Sequence, residues 1–425
     1  MRKMKDSGIE WLGMIPEDWE TERLQWHISE IKESNKPEKS RRILSLTNKR
    51  GVIPYEEKGA QGNVAKEDYT QYKLAYPGTI VANSMNILIG SVGKCDYFGC
   101  VSPVYYVFKP NNGENLEFIN YIFQTEQFQK ELRRYANGIL EIRLRVSSDG
   151  ILKRKVPFPS IYEQAQIVST IESSTSKVDA LISNVQAQIE KLKAYKQSLI
   201  TEVVTKGLDP NVPMKDSGVE WIGKMPAHWD INRIKYVSDF APTCNTDTLT
   251  QDSVVAYAPM ECIKNGYFER RSARYGSLAH TLTPFQNGDI VMAKVTPCFE
   301  NGNIAVMKNL DSDYGLGSSE LFVFRPRKIF TQYLMYWLQN QLFVRYACAT
   351  MTGTGGLKRV SPAFVRGCNI HTPPVAEQKE IAAYLDTKCA EIDQLIAVKQ
   401  SKIEKLEQYK RSLIYEYVTG KKEVS

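Results

Sequence analysis

A chain of 425 residues with 42% hydrophobic and 24% charged residues has the composition of a soluble globular protein and is too long for one ordinary core. It contains no apolar run approaching the ~18 residues of a membrane span, and the opening "MRKMKDSGIEW" has no apolar stretch behind its basic start, so a cytoplasmic location with no membrane partner is expected. Eight cysteines without a CxxC and four scattered histidines, His27, His228, His280 and His371, argue against a disulfide framework and offer no zinc spacing; no metal site is expected.

The first segment in chain order, "MKDSGIEWLGMIPEDWE" at 4–20, returns at 214–230 as "MKDSGVEWIGKMPAHWD", with ten of seventeen positions identical. The 210-residue offset is far beyond solenoid periods, so it signals a duplicated unit. The region 21–160 follows, with β-type runs "GTIVAN" and "VYYVFKP" and a helical stretch "LEFINYIFQTEQFQKELRRYA". It closes on the basic cluster "RLRVSSDGILKRK" at 143–155.

A long helix is predicted next, over 163–204, and its counterpart over 377–418 matches it at eighteen of 42 positions. Both lack Gly and Pro and are rich in Ala, Glu, Gln, Lys and Leu. Their period is seven. Ile171, Thr175, Val178, Ile182, Val185, Ile189, Leu192, Lys196, Leu199 and Val203 alternate steps of four and three. Leu385, Cys389, Ile392, Ile396, Lys399, Ile403, Leu406, Lys410, Leu413 and Tyr417 do the same. That is a coiled-coil seam, and two seams in one chain most simply pack on each other. At ~1.5 Å per residue each helix spans roughly 60 Å, long enough to act as a spacer. Gly207, Pro210 and Pro213 stop the first.

The second variable region, 231–374, repeats the order of the first with "GDIVMAKV", "LFVFRP" and the helical "TQYLMYWLQNQLFVRYACA". In "FENGNIAV" the Asn301-Gly302 dipeptide predicts a hairpin turn. The domain organisation is therefore 1–160, 161–209, 210–374 and 375–425: globular, helix, globular, helix. The fold class is α+β, two similar α/β domains separated by two long helices forming a coiled coil.

The charge divides unevenly. Residues 1–160 hold 24 Lys/Arg against 20 Asp/Glu and residues 210–374 hold 17 against 13, whereas the helices at 161–209 (5 against 6) and 375–425 (9 against 9) are balanced. A basic excess on the globular parts fits a nucleic-acid partner, with local support in "RLRVSSDGILKRK" and in "MTGTGGLKRVS" at 351–361. In the latter, Gly353, Gly355 and Gly356 would let backbone N–H groups approach an anion beside Lys358 and Arg359; a solvated loop explains the same composition equally well.

Catalytic signatures are missing. "GSVGK" at 90–94 lacks the first glycine of a phosphate loop, "TGTGG" is not GxGxxG, and neither a nucleophile elbow nor HExxH occurs. The reading is a binding protein with no catalytic residues. Two alternatives stand beside a DNA-binding role: a coiled-coil scaffold or adaptor without DNA recognition, and a methyltransferase with an unrecognised motif.

The duplicated "EWxGxxPxxW" openings, "GDIVMAKVTPCFENG", "GSSELFVFRP", the helix starts "PSIYEQ" and "PPVAEQ" and the helix ends "EKLxxYKxSLI" together resemble the specificity (S) subunit of type I restriction-modification systems, across nearly the whole chain and in the same order. The resemblance implies two target recognition domains, each reading one half of a split, asymmetric site in double-stranded DNA, and an antiparallel pair of helices that spaces them. It also implies two methylation (M) subunits docked on those helices, restriction (R) subunits joining the complex, and no cofactor on this subunit: S-adenosylmethionine, ATP and Mg belong to the partners. "NSMNILIGSVGKC" replaces the "AKVTPCFENG" type of string in the first half, so the halves should read different bases. Candidate DNA contacts are Asn83, Ser84, Asn86, Lys94, Arg143 and Arg145 in the first domain and Lys294, Thr296, Asn301, Lys358 and Arg359 in the second; Asn can pair with adenine and Arg with guanine or phosphate. Trp11, Trp19, Trp221 and Trp229 are expected to pack each domain against its helix.

Overall fold

The computed structural model describes residues 2–47, 50–58, 68–111, 113–138, 144–279, 281–353 and 356–424. It divides into two compact units, Met1–Val185 with Ser401–Ser425, and Gln186–Gln400. Each unit thus takes one half of each long helix, which run over Ile161–Lys206 and Val375–Val418.

In the first unit a hairpin, Met4–Asp6 with Met14–Pro16, precedes the strand Glu20–Arg23, which pairs with Lys155–Phe158 just ahead of the long helix. The central sheet has the order Ile28–Glu30, Tyr105–Pro110, Thr79–Asn83, Val92–Cys95, antiparallel throughout. The strings "GTIVAN" and "VYYVFKP" are its two middle strands, and alternation places Ile80, Ala82 and Phe108 in the core with Phe118, Ile122, Phe128 and Val156.

The second unit repeats this frame. Met214–Asp216 pairs with Lys224–Pro226, Asp230–Arg233 with Asn369–Thr372, and the sheet order is Ser238–Phe240, Leu321–Pro326, Ile290–Ala293, Ile304–Val306. The units diverge in their outer layers. The second carries a further four-stranded sheet in which Val254–Ala258 lies parallel to Tyr314–Gly317, whereas the first has two separate strand pairs, Leu44–Thr47 with Gly51–Pro54 and Lys73–Ala75 with Gly99–Val101.

Each predicted helical stretch after the sheet is two helices. Thr125 ends Leu116–Gln124 in an extended conformation and caps Glu126–Arg133 by accepting from the Phe128 N–H; in the second unit Gln339 ends Thr331–Leu338 and the extended Asn340 after it caps Gln341–Ala349, accepting from the Phe343 N–H. The Asn301-Gly302 expectation is also corrected. The strands Ile290–Ala293 and Ile304–Val306 do pair, but the type I′ hairpin turn that Asn-Gly favours needs positive φ at both central residues, and of the two only Gly302 has it (φ +69). Instead, a helical turn from Pro297, whose carbonyl accepts the Asn301 N–H, ends on Gly302.

The seam is found at the positions the period predicts, each buried or half-buried. The helices run antiparallel within each unit: Lys410 reaches Asp179 at 2.6 Å in the first, and Lys196 reaches Asp393 at 2.7 Å in the second. Lysines interrupt the apolar stripe without breaking it because their stems lie in the seam and their ammonium groups reach polar groups on its edge, Asp393 and Asp179 for Lys196 and Lys410 and the Gln188 amide oxygen for Lys399.

The openings explain why the chain repeats its beginning. Trp19, 1% exposed, donates its indole N–H to Glu163 at the start of the first long helix, and the end of the second helix closes on it at Gly420. Trp229, fully buried, donates to Glu377 at the start of the second helix, with Gly207, at the end of the first, against its ring. Trp11 packs on Phe128 and Trp221 stacks on Tyr346. Each opening therefore clamps one helix start and one helix end, a three-part joint made once in each unit. Gly420 has φ +70, and a Cβ there would collide with the Pro16 ring. Gly420→Ala should lower stability by about 1–3 kcal/mol, read as a lower urea midpoint at unchanged slope.

Candidate nucleic-acid interface

In the second unit the chain leaves Ile290–Ala293 and meets the segment beyond Gln341–Ala349. Val295 and Thr352 flank Arg359 as antiparallel bridge partners. Thr352 and Arg359 exchange both backbone hydrogen bonds, at 3.1 and 2.8 Å, and Val360 N–H donates to the Lys294 carbonyl at 3.0 Å. Thr296 fastens the other side: its N–H donates to the Lys358 carbonyl, its hydroxyl donates to the Gly356 carbonyl at 2.8 Å, and its oxygen accepts the Lys358 N–H at 3.0 Å.

The glycines of "TGTGG" serve this reversal. Gly353 has φ +142, and a Cβ would strike the Leu357 carbonyl; Gly355 lies outside the described residues. The N–H groups of Lys358 and Arg359 are both spent inside the loop. Lys358 and Arg359 therefore offer no free backbone donor to an anion, and their side chains carry the charge outward; the cradle expected at the glycines falls partly outside the described residues.

Those side chains differ. Lys358 is exposed with no partner among the described residues. Arg359, 47% exposed, donates Nε and Nη2 to Glu320 at 2.8–3.1 Å, and Glu320 is held below the usual carboxylate range by this guanidinium first and by Lys294. Lys294 is folded back: its ammonium donates to the Ser319 carbonyl, lies 3.9 Å from Glu320 and sits over the Phe322 ring.

The first unit builds the same corner differently. Ala136–Asn137 pairs with Arg145–Val146, the Val146 N–H donates to the Ser84 carbonyl at 3.3 Å, and Ser84 N–H donates to the Val104 carbonyl. These are the bonds that Val360, Lys294 and Glu320 make in the second unit. Arg145 thus corresponds to Arg359, Ser84 to Lys294 and Val104 to Glu320. Among the described residues Arg145 has a 3.6 Å contact from Nη2 to the Met85 sulfur and no carboxylate partner.

Of the candidates in the first unit, Asn83, Ser84, Asn86 and Arg145 meet at this corner. Asn83 and Ser84 are buried, and the Asn83 side-chain oxygen accepts the Met85 N–H at 3.0 Å, so both shape the turn, as buried Thr296 does in the second unit; Asn86 is exposed. Lys94 stands apart, opposite Ile80 on the neighbouring strand and 3.3 Å from Asp96. Asn301 is exposed at the end of its helical turn, where its carbonyl accepts from Asn265. Arg143 lies outside the described residues.

Sequence reasoning missed Glu320, which sat inside the strand-like "GSSELFVFRP" string, and the correspondence of the two arginines, which the repeated Arg-Val-Ser at 145–147 and 359–361 could have revealed. It also passed over Arg270, Arg271 and Arg274 in "ERRSAR", all exposed around the strand Ser272–Arg274.

The family model described as the type I restriction modification DNA specificity domain matches residues 16–191 and 226–408. The EcoEI specificity subunit of Escherichia coli is 26% identical over 212 residues, 49% of this chain and only 35% of that relative's length. A putative specificity subunit, MjaX, of Methanocaldococcus jannaschii is 22% identical over 438 residues, covering 96% of this chain and 95% of the relative. Two solved structures share the fold. A chain from a type I R-M system, studied for complex assembly and conformational transition, has a TM-score of 0.68 at 14% identity, covering 96% of this chain and 99% of that one. The HsdS subunit from Thermoanaerobacter tengcongensis has a TM-score of 0.50 at 15% identity, covering 96% and 98%.

Proposed function

The chain belongs to the type I restriction-modification DNA specificity family, and on that premise we propose that it is the non-catalytic specificity subunit of such a complex, reading a bipartite, asymmetric site in double-stranded DNA. The observation that carries this is one frame built twice with its corner fitted differently: Asn86 and an Arg145 with no carboxylate partner among the described residues in one unit, Lys358 and the Arg359–Glu320 pair in the other. A shared frame gives a common mode of docking, and unlike corners give unlike half-sites. Phosphate contacts would come from exposed cations such as Lys358, and base contacts from the groups held in fixed geometry. Two methylation subunits engage the long helices, restriction subunits join them, and S-adenosylmethionine, ATP and Mg are bound by those partners. The cytoplasm is the compartment where such a complex meets DNA, and no described helix is long and apolar enough to cross a membrane.

The test is a salt titration of DNA binding by the chain assembled with its methylation partner. Sequence-specific binding that steepens as salt falls is the expected result, because phosphate contacts release counterions. Lys358→Ala should weaken binding a few-fold to cognate and random DNA alike and flatten the salt slope by about one, leaving the bases read unchanged. A scaffold without DNA recognition would show equal affinity for cognate and random duplexes.

A further inference from the structure

Glu320 is an unexpected group at a DNA-binding corner, because an ionised carboxylate repels phosphate. Its geometry gives it a different use. Arginine has five N–H donors in a planar fork, and Glu320 engages one edge, Nε and Nη2. The opposite edge, both Nη1 hydrogens and the second Nη2 hydrogen, has no partner among the described residues, and the side chain is 47% exposed. A guanidinium held along one edge keeps the other in a fixed plane. That free edge matches the paired O6 and N7 acceptors of guanine in the major groove.

Three further observations separate this from a phosphate anchor. Arg359 is charge-compensated, with Glu320 at 2.8 Å, so it adds little to phosphate attraction while its donors remain directed. Its backbone is pinned by the two Thr352 bonds, and Lys294 steadies Glu320 from the other side at 3.9 Å. Finally, Arg145 holds the same position in the first unit, where Val104 takes the place of Glu320 in the backbone, so the carboxylate belongs to one reading surface and not to the frame.

We propose that Arg359 reads a guanine in the half-site of the second unit through its Nη1/Nη2 edge, with Glu320 as the positioning residue that fixes its plane. This rests on the DNA-specificity reading above. The full chain is expressed with its methylation partner in a host lacking that methylation, and modified adenines are mapped by single-molecule sequencing. Arg359→Lys, which keeps the charge and loses the fork, should relax one guanine position at least about tenfold, with the other half-site intact as an internal sign of folding. Glu320→Ala should relax the same position to a smaller degree, and Glu320→Gln, whose amide oxygen still accepts from the guanidinium, should sit nearer the wild type. Arg145→Ala should leave that guanine as it was. The proposal is overturned if both variants reduce methylation at every site in proportion with base preferences unchanged, or if the relaxed position is an A·T pair. Absence of any sequence-defined methylation by the wild-type complex would instead remove the underlying DNA reading, and the proposal with it.

Discussion

Replacing Ile189 and Ile403 together by Asp is expected to abolish assembly with the methylation partner while both globular sheets stay folded. Ile189 is 5% exposed and Ile403 4%, each in the seam of its own unit, and a buried isoleucine contributes about 1.5–3 kcal/mol through burial alone. The aspartate adds the larger penalty, since a carboxylate placed among apolar side chains must find a partner, take up a proton or open the site. Of the seam cations, Lys196 is committed to Asp393 and Lys410 to Asp179, while Lys399 donates to the Gln188 amide oxygen. The cores are separate from these two positions, being built around Phe108, Phe118 and Trp19 in one unit and Phe324, Tyr333 and Trp337 in the other. Tryptophan fluorescence should therefore keep its folded signature while co-purification of the methylation partner and methylation itself are lost. Retained assembly with full methylation would show that the coil is not the docking element. Ile189→Val with Ile403→Val, which keeps the seam apolar, should leave both readouts near wild type.

The seam was legible because burial along a helix repeats with a fixed period, so ten positions in each helix could be assigned from spacing alone. What spacing could not supply was the destination of the seam lysines. Asp179 lies 231 residues from Lys410 in sequence, and Asp393 lies 197 from Lys196; only the antiparallel register joins them. The tryptophans of the openings were assigned to packing correctly, but their bonds to Glu163 and Glu377 depend on the helix start falling beside the opening strand pair. Asn301-Gly302 shows the opposite case. A strong local hairpin signal gave way to a longer connection in which the glycine ends a helical turn. At the candidate interface, composition located the basic loop but could not distinguish a free cation from a committed one. Lys358 and Arg359 are adjacent in sequence, yet one is exposed with no partner among the described residues and the other is fixed to a carboxylate 39 residues away.

Lengthening both long helices by four residues is expected to add one or two base pairs to the unread spacer between half-sites without changing the bases read. The sequence alone suggests inserting within Leu199–Glu202, ahead of the helix stop, but those residues are occupied: Ile200 is in the core of the second unit, the Gln341 N–H donates to the Thr201 hydroxyl, and Gln197 bonds to the Gln339 carbonyl. The insertion belongs instead after Val185, matched by one after Gln400, where the helices carry seam contacts and the division between units falls. Matching is required because the partners run antiparallel, so an insertion in one helix alone would put every seam pair on one side of it out of register. Four residues add about 6 Å of rise and about 40° beyond a full turn at ~3.6 residues per turn. In DNA, one base pair at ~3.4 Å supplies the rotation, roughly 35° at about 10 to 10.5 pairs per turn, and two supply the rise, which bounds the answer between them. A matched insertion of two residues rotates each helix by about 200°, turning the seam to the opposite face, and should eliminate methylation. Mapping modified adenines in the four-residue variant decides the matter. A spacer of unchanged length, or an altered base in either half-site, would show that these helices do not set the distance between the two readings.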